Sequence, residues 1–262
     1  MGNCLYCGKS AGLLKTRHKE CEGLFSVQAR NAINGVIGLA QFAQAWQILP
    51  EERNKLLAQE WEKAVDDFLE DGLLDSQEET RLAEFQNYFK LTTADLNKNG
   101  ALSRAIQAAI LRDVWAGSIP SQAEKHTSLP INLQKGEQVI WTFHNVRYLE
   151  DKVKQHYVGS SLGVSFKIVP GVYYRVGQFR GKSMGHTERE HVDTGVFVVT
   201  TKHIYFIGGS KNFRIPYGKI VSFLPFSDGI GVIREAANAK PQIFITGDGW
   251  FACNLVPNVA RL

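Results

Sequence analysis

The sequence predicts an α+β fold in three parts, and three observations carry that expectation. Three of the four cysteines, with one histidine, lie within the first 21 residues. Apolar residues then recur at helical spacing as far as Trp115, and after Pro130 the pattern turns to alternating β-branched and aromatic runs. The expected parts are a small metal-ligating segment at residues 1–24, a helical module at 25–117, and a partly open β-barrel closed by a C-terminal helix at 131–262.

The first part reads Cys4-x2-Cys7-x10-His18-x2-Cys21. Each short pair can place two donors on one side of an ion, and the loop between them is long enough to fold back. Three thiolates and an imidazole are the soft donors a structural zinc ion takes in a tetrahedral shell. Cys4-Leu5-Tyr6-Cys7-Gly8-Lys9 resembles a zinc knuckle, with Gly8 letting the chain reverse, and His18-Lys19-Glu20-Cys21 opens a helix. Lys9, Lys15, Arg17 and Lys19 offset the excess charge of the thiolates. A redox role for the CxxC is disfavoured because no thioredoxin-like strand precedes it. A catalytic zinc is disfavoured because four protein ligands leave no open position for water.

Composition bounds the rest. A length of 262 residues exceeds a usual single domain, and 44% hydrophobic with 21% charged residues describes packed modules rather than disordered tracts. The net charge of +4 permits an anionic partner without demanding one. No basic start followed by an apolar core and a small-residue cleavage site opens the chain, so no secretory signal is expected. Cysteines in a metal pattern, with Cys253 lacking a disulfide partner, fit a reducing cytoplasm. Ile33 to Leu49 is apolar but broken by Asn34, Gln41, Gln44 and Gln47, and it stops at Pro50. It is too short and polar to cross a bilayer. Val36, Ile37, Ala40 and Ala43 predict an amphipathic helix there instead.

In the helical module, Pro50-Glu51-Glu52 opens a helix that carries Leu56, Leu57, Trp61, Val65, Phe68 and Leu69. Gly72 ends it. Asp75 to Glu79 opens the next, with Leu82, Phe85, Tyr88 and Phe89 on one face. Thr93, or Thr92 before it, caps a short helix through Leu96, and Ser103 to Trp115 closes the module after Asn99-Gly100. Ala64 to Glu79 resembles the acidic, Gly-turned, capped joint of tellurite-resistance-type helical domains. That resemblance implies oxygen ligands at Asp66, Asp67, Glu70, Asp71 and Asp75, although a solvated acidic face is the simpler expectation. Asp95 to Gly100 matches half of an EF-hand loop. Ile106 stands where the bidentate carboxylate is required, so a turn is expected rather than a calcium site.

Ser118 to Pro130 reads as a linker. Strands are expected at 139–143, 164–168, 172–176, 196–200, 203–207 and 243–245, with a hairpin at Gly208 to Asn212. A last helix is expected over 250–262, with Trp250, Leu255 and Val259 inward. Asp193 to Phe206, Phe213 to Phe223 and Gly229-Ile230-Gly231-Val232 resemble the core of bacterial PH-like and GRAM-like domains. The resemblance implies a partly open barrel with a terminal helix, a bacterial source, and binding of a protein partner or an anionic lipid.

The competing sites are weaker. Lys202, Lys211, Arg214 and Lys219 are spread along the chain and diluted by Asp193 and Asp228, so a specific lipid-headgroup site is not expected and a solvated strand edge is. His186, His191 and Asp193 form the densest titratable cluster, and in a regular strand His191 and Asp193 share a side. A polar loop is the expected role, with a metal-dependent hydrolase as a third alternative. Gly181-Lys182-Ser183 lacks phosphate-loop spacing. The expected function is a non-catalytic cytoplasmic binding or scaffold protein with structural zinc at Cys4, Cys7, His18 and Cys21 and a protein partner. Nucleic-acid binding through the basic knuckle is the alternative.

Overall fold

The computed structural model describes residues 2–12, 15–46, 48, 50–120, 131–154, 165–169, 172–175, 186–236 and 240–262, with side chains at 50–51 and 152–188 outside that description. Residues 121–130 of the linker expected at Ser118 to Pro130, and the Gly181-Lys182-Ser183 segment, lie outside the described residues. Residues 1–112 and 113–262 form two compact units. Among the described residues, no helix is long and apolar enough to cross a membrane.

The first unit begins with a minimal antiparallel pair, β1 (Gly2–Asn3) and β2 (Ser10–Gly12). Helices follow as α1 (Lys19–Ile33), α2 (Leu39–Ala45), α3 (Pro50–Phe68), α4 (Ser76–Phe89), α5 (Thr93–Leu96) and α6 (Ala101–Trp115), the last running across the boundary. Local chemistry sets their ends. Asp75 accepts from the N–H groups of Gln77 and Glu78 at 2.7 and 2.8 Å, while Glu78 accepts from Asp75 N–H at 2.9 Å. This reciprocal cap satisfies donors the helix itself leaves open. Thr92 and Asp95 repeat the device at α5, so Thr92 is the cap.

One core spans the cysteine segment and the helices. It contains Cys4, Tyr6 and Ala11 together with Phe25, Phe42, Leu57, Trp61, Val65, Leu82 and Phe85. The amphipathic helix expected across 33–49 is instead the end of α1, a turn at Asn34-Gly35 with Gly35 at φ +75°, and the short α2. Val36 and Ala40 are exposed, Ile37 and Ala43 are partly buried against the core, and Phe42 is buried in it. The turn wins because it lets one large aromatic reach the core where a stripe of alanines would not.

The second unit is a seven-stranded antiparallel sheet in the order β8-β7-β6-β3-β11-β10-β9. Its strands are β3 (Val139–Lys154), β6 (His186–Thr200), β7 (His203–Gly208), β8 (Asn212–Pro216), β9 (Ile220–Phe226), β10 (Gly229–Arg234) and β11 (Gln242–Ile245). A separate hairpin, β4 (Ser165–Val169) with β5 (Val172–Arg175), lies in sequence between β3 and β6. The β3–β6 ladder is therefore longer than the two short strands expected from alternation. The edge strands β8 and β9 do not pair, yet only Tyr217–Lys219 separates them. Four chain steps reach at most about 14 Å, so the sheet curls until its edges come close, and it remains open. β3 bends to serve both halves: Asn145 sits at φ +55° where the register slips between Phe143 and Val146.

Aromatics fill the concave face. Tyr148 stacks on Phe244 at 5.3 Å, and Phe197 meets Phe244 at 4.5 Å. The last helix, α7 (Gly249–Val259), packs on β9 and β10 and sets Phe251 against Trp141 at 5.1 Å. Leu255 and Val259 point inward as expected, but Trp250 is half-exposed in the first turn of the helix. Gly195 is dictated by a close approach: a Cβ there would lie 2.1 Å from the Ile207 carbonyl oxygen.

A buried carboxylate fastens the start of this unit. Glu137 accepts from Thr200 Oγ1 at 2.5 Å, His203 Nδ1 at 2.9 Å, Tyr205 O–H at 3.0 Å and Gln134 N–H at 2.7 Å. Burial opposes its charge, but these donors outweigh burial and hold its carboxyl below the usual 4.5. A depressed carboxyl contributes stability that is full above 4.5 and fades as the pH falls through its lower folded value. Glu137→Gln is therefore expected to cost about 1–3 kcal/mol at pH 7. Its gap to the wild type should narrow below pH 4.5. Hydrogen exchange of β6 and β7 amides at the two pH values measures this.

Candidate metal centre

The cysteine–histidine cluster is assembled by short-range backbone bonds. Cys4 N–H donates to the Lys9 carbonyl at 2.7 Å and Gly8 N–H to the Cys4 carbonyl at 2.9 Å, closing the CxxC turn. Gly8 takes φ +70°, a conformation open to glycine at little cost. Leu5 N–H donates to Thr16 O at 2.9 Å, which draws the second pair alongside the first. His18 is the extended residue that starts α1, and Cys21 lies one turn in, so both project toward the turn.

The donors converge. His18 Nδ1 lies 3.6 Å from both Cys7 Sγ and Cys21 Sγ, and the four ligand atoms are all within 4.8 Å of one another. A tetrahedral ion with metal–sulfur bonds of about 2.3 Å and metal–nitrogen bonds of about 2.0–2.1 Å sets its S···N edges at about 3.6 Å. The histidine is also oriented. Its Nε2 lies 3.1 Å from the Ser10 carbonyl, which can only accept, so Nε2 carries the proton and Nδ1 offers its lone pair. The His18 backbone N–H donates to Cys4 Sγ at 3.4 Å.

Electrostatics fit a cation. Burial raises the Cys4 thiol, but backbone N–H groups of His18, Tyr6 and Cys7 outweigh it and hold it at about 6. Desolvation, then the neighbouring Cys7 and Cys4 sulfurs, push Cys21 up to about 11. Crowded sulfurs resist successive deprotonation, and a shared divalent ion removes that resistance. Cys4, Cys7, His18 and Cys21 thus form a group that can hold a metal. Among the described residues, no other set of three or more His, Cys, Asp or Glu donors comes close enough to do so. Lys9, Lys15, Arg17 and Lys19 are exposed around it, with Arg17 paired to Glu22 at 2.5 Å.

The other candidates do not assemble. In the acidic joint, Asp66 pairs with Arg104 at 2.6 Å and Asp67 with Arg30. Asp71 accepts from Leu73 N–H, and Asp75 is the α4 cap. In the partial EF-hand loop, Asp95 serves the α5 cap and Asn97 Oδ1 accepts from Ser103 N–H at 3.0 Å. His191 and Asp193 fall on opposite faces, contrary to the same-side expectation. An extra residue in β6 sets His191 against Leu149 and Asp193 against Tyr148, which are adjacent on β3. Asp193 instead accepts from the N–H groups of Ser210 and Lys211, both at 2.8 Å, and these bonds hold its carboxyl down at about 2. The His186 side chain lies outside the described residues.

Sequence reasoning missed the Ser10 carbonyl behind His18, for which spacing offers no signal. It also missed Tyr6, whose ring lies 5.1 Å from Phe25 and ties the knuckle to the helices. An aromatic flanked by the two ligands of a CxxC was the available sign. No protein-family model matches the chain, and no curated protein matches its sequence.

Loss of a ligand should cost at least the roughly 100-fold in affinity at the upper end for an outer-shell partner. Cys7→Ser and His18→Ala are each expected to exceed that, measured by competition with a chromophoric chelator. They should also raise hydrogen exchange in α1 and α2 while β6 and β7 keep wild-type protection.

Proposed function

We propose that this chain is a non-catalytic binding or scaffold protein of the bacterial cytoplasm, whose structural zinc organises the first unit and whose second unit engages a protein partner. The carrying observation is the complete donor shell: three sulfurs and one imidazole nitrogen within 4.8 Å of one another leave no coordination position for water or substrate. Zinc is the ion favoured by that donor set. Reduced thiolates need a reducing compartment, which supports the cytoplasm.

The second unit supports the binding role. An open seven-strand antiparallel sheet with a helix packed on it supports that role, and the PH-like and GRAM-like resemblance is the ground for expecting a protein partner there. Its dense titratable cluster serves the β7–β8 turn through Asp193 rather than gathering as reacting groups. The runner-up, nucleic-acid binding by Lys9, Lys15, Arg17 and Lys19, rests on exposed cations alone.

The expected result is one zinc per chain by elemental analysis. Crosslinking mass spectrometry in the native host should give a reproducible protein partner whose crosslinks fall within 131–262. Substoichiometric zinc would overturn the first half of the reading. Crosslinks confined to 1–112, or nucleic-acid binding that weakens steeply between 50 and 200 mM salt, would overturn the second.

A further inference from the structure

The three sulfurs of the metal centre are not equivalent. Cys4 is 2% exposed, belongs to the core of the helices and accepts the His18 backbone N–H at 3.4 Å. Cys7 and Cys21 are half-buried and pack against that core. Both sulfurs lie 3.6 Å from His18 Nδ1 and within 4.8 Å of each other. A disulfide sets its sulfurs about 2.05 Å apart, so each has at most about 1.4 Å to travel. All four cysteines are free, and the fourth, Cys253, belongs to the second unit. A disulfide formed within the first unit therefore leaves one thiol over.

Burial decides which thiol that is. A small oxidant arriving from solvent meets Cys7 and Cys21, while Cys4 is closed in beneath them. Metal ligation requires the sulfurs to be thiolates, which is also the form that attacks an electrophilic oxygen. A disulfide formed in a reducing compartment is transient and serves either catalysis or sensing. Four protein ligands leave no open position for catalysis, so sensing is the role that fits.

We infer that Cys7 and Cys21 form a peroxide-sensitive pair that exchanges the metal for a disulfide, with Cys4 as the thiol left over. The inference rests on the metal reading above and names the regulation of that site. One thiolate attacks hydrogen peroxide and the O–O bond breaks. The sulfur keeps one hydroxyl as a sulfenic acid, and the other leaves as hydroxide. The second thiolate then attacks that sulfur, forms the S–S bond and expels a second hydroxide. The two thiolates together lose two electrons, and the peroxide gains them. Both sulfurs end in the same bond, so the product is the same whichever reacts first. Only Cys4 and His18 then remain as donors, too few for a tetrahedral zinc shell. The disulfide still ties the CxxC turn to α1, but it frees Cys4 and His18. A cellular thiol restores the pair by exchange.

The test uses the full-length chain, purified under reducing conditions, freed of reductant under inert gas and then treated with hydrogen peroxide. A chromophoric chelator follows zinc release, and mass spectrometry after alkylation and digestion maps the disulfides. The expected result is release of one zinc per chain together with a Cys7–Cys21 link and an alkylated Cys4. Dithiothreitol with added zinc should reverse all three. Hydrogen exchange should rise at the CxxC turn while β6 and β7 keep their protection. Cys253→Ser should respond as the wild type does, and a failure to do so overturns pairing within the first unit. Substoichiometric zinc before peroxide is added overturns the metal reading, and the switch with it. Full zinc that stays bound under peroxide overturns the switch and leaves the metal reading standing. A Cys4–Cys7 link, a link between chains, or sulfinic acid in place of the disulfide does the same.

Discussion

Four side chains from two separated turns have to meet at one point, and the architecture of the first unit follows from that convergence. Cys4, Tyr6 and Ala11, which precede α1, are buried in the core of the helices rather than in one of their own. They are held by the short bonds of the CxxC turn, by the Leu5–Thr16 bond and by the donors that Cys4, Cys7, His18 and Cys21 direct at one position. Because His18 and Cys21 belong to the first turn of α1, an ion at that position fixes where the helix begins. Tyr6, between the first two ligands, then projects into the helices. From its ring a path of aromatic contacts runs through Phe25 and Phe42 to Phe85 and Phe89. An ion held there and the packed core would form one energetic unit, linked through Tyr6 to Phe25, where the first helix meets the second through Phe42.

The second unit answers to a different constraint, the three-residue link between strands at opposite edges of one sheet. Such a link forces curvature, and curvature has to be accommodated along the longest strands. β3 bends at Asn145, and β6 carries a bulge beside His191. Gly195 lies where β7 approaches so closely that no side chain fits. These positions are conditions of the curl, since a regular strand of the same length would carry its partners along a flat sheet. The same curl brings Glu150 of β3 and the ends of β8, β10 and β11 together around a polar cleft, which no single strand could enclose.

How much of this is legible in the sequence depends on whether the governing interaction is local. The Cys/His spacing, the Asp75 cap and the period of α3 are local, and reading them in order recovers their elements. The α1–α2 turn is not. Ile33 to Leu49 has a helical period, and only the demand of the core for Phe42 decides that it breaks at Asn34-Gly35. The His191–Asp193 relation fails for a similar reason: strand parity holds until a bulge, and the bulge is imposed by pairing with β3. Glu137 carries no motif at all. Its partners Thr200, His203 and Tyr205 are more than 60 residues away in sequence, so only the fold reveals that a carboxylate after a glycine is the peg of the β6–β7 hairpin.

The residues whose patterns suggested chemistry, apart from the metal ligands, are those whose oxygens turn out to be spent locally. Asp75, Asp95, Asn97 and Asp193 each satisfy backbone N–H groups that a helix start or a tight turn leaves open. That is the reason they cluster with glycine and small polar residues, and it is why they imitate metal and catalytic motifs. A binding group has the opposite character: its capacity is unspent. Gln242 keeps one oxygen without a donor among the described residues, held in place by Tyr148 and Glu150 and closed off from solvent. Its neighbours in sequence, a proline and an isoleucine, give no hint of this. The asymmetry comes from the pairing of β11 with β3, which seats a glutamine beside a tyrosine whose proton is already committed.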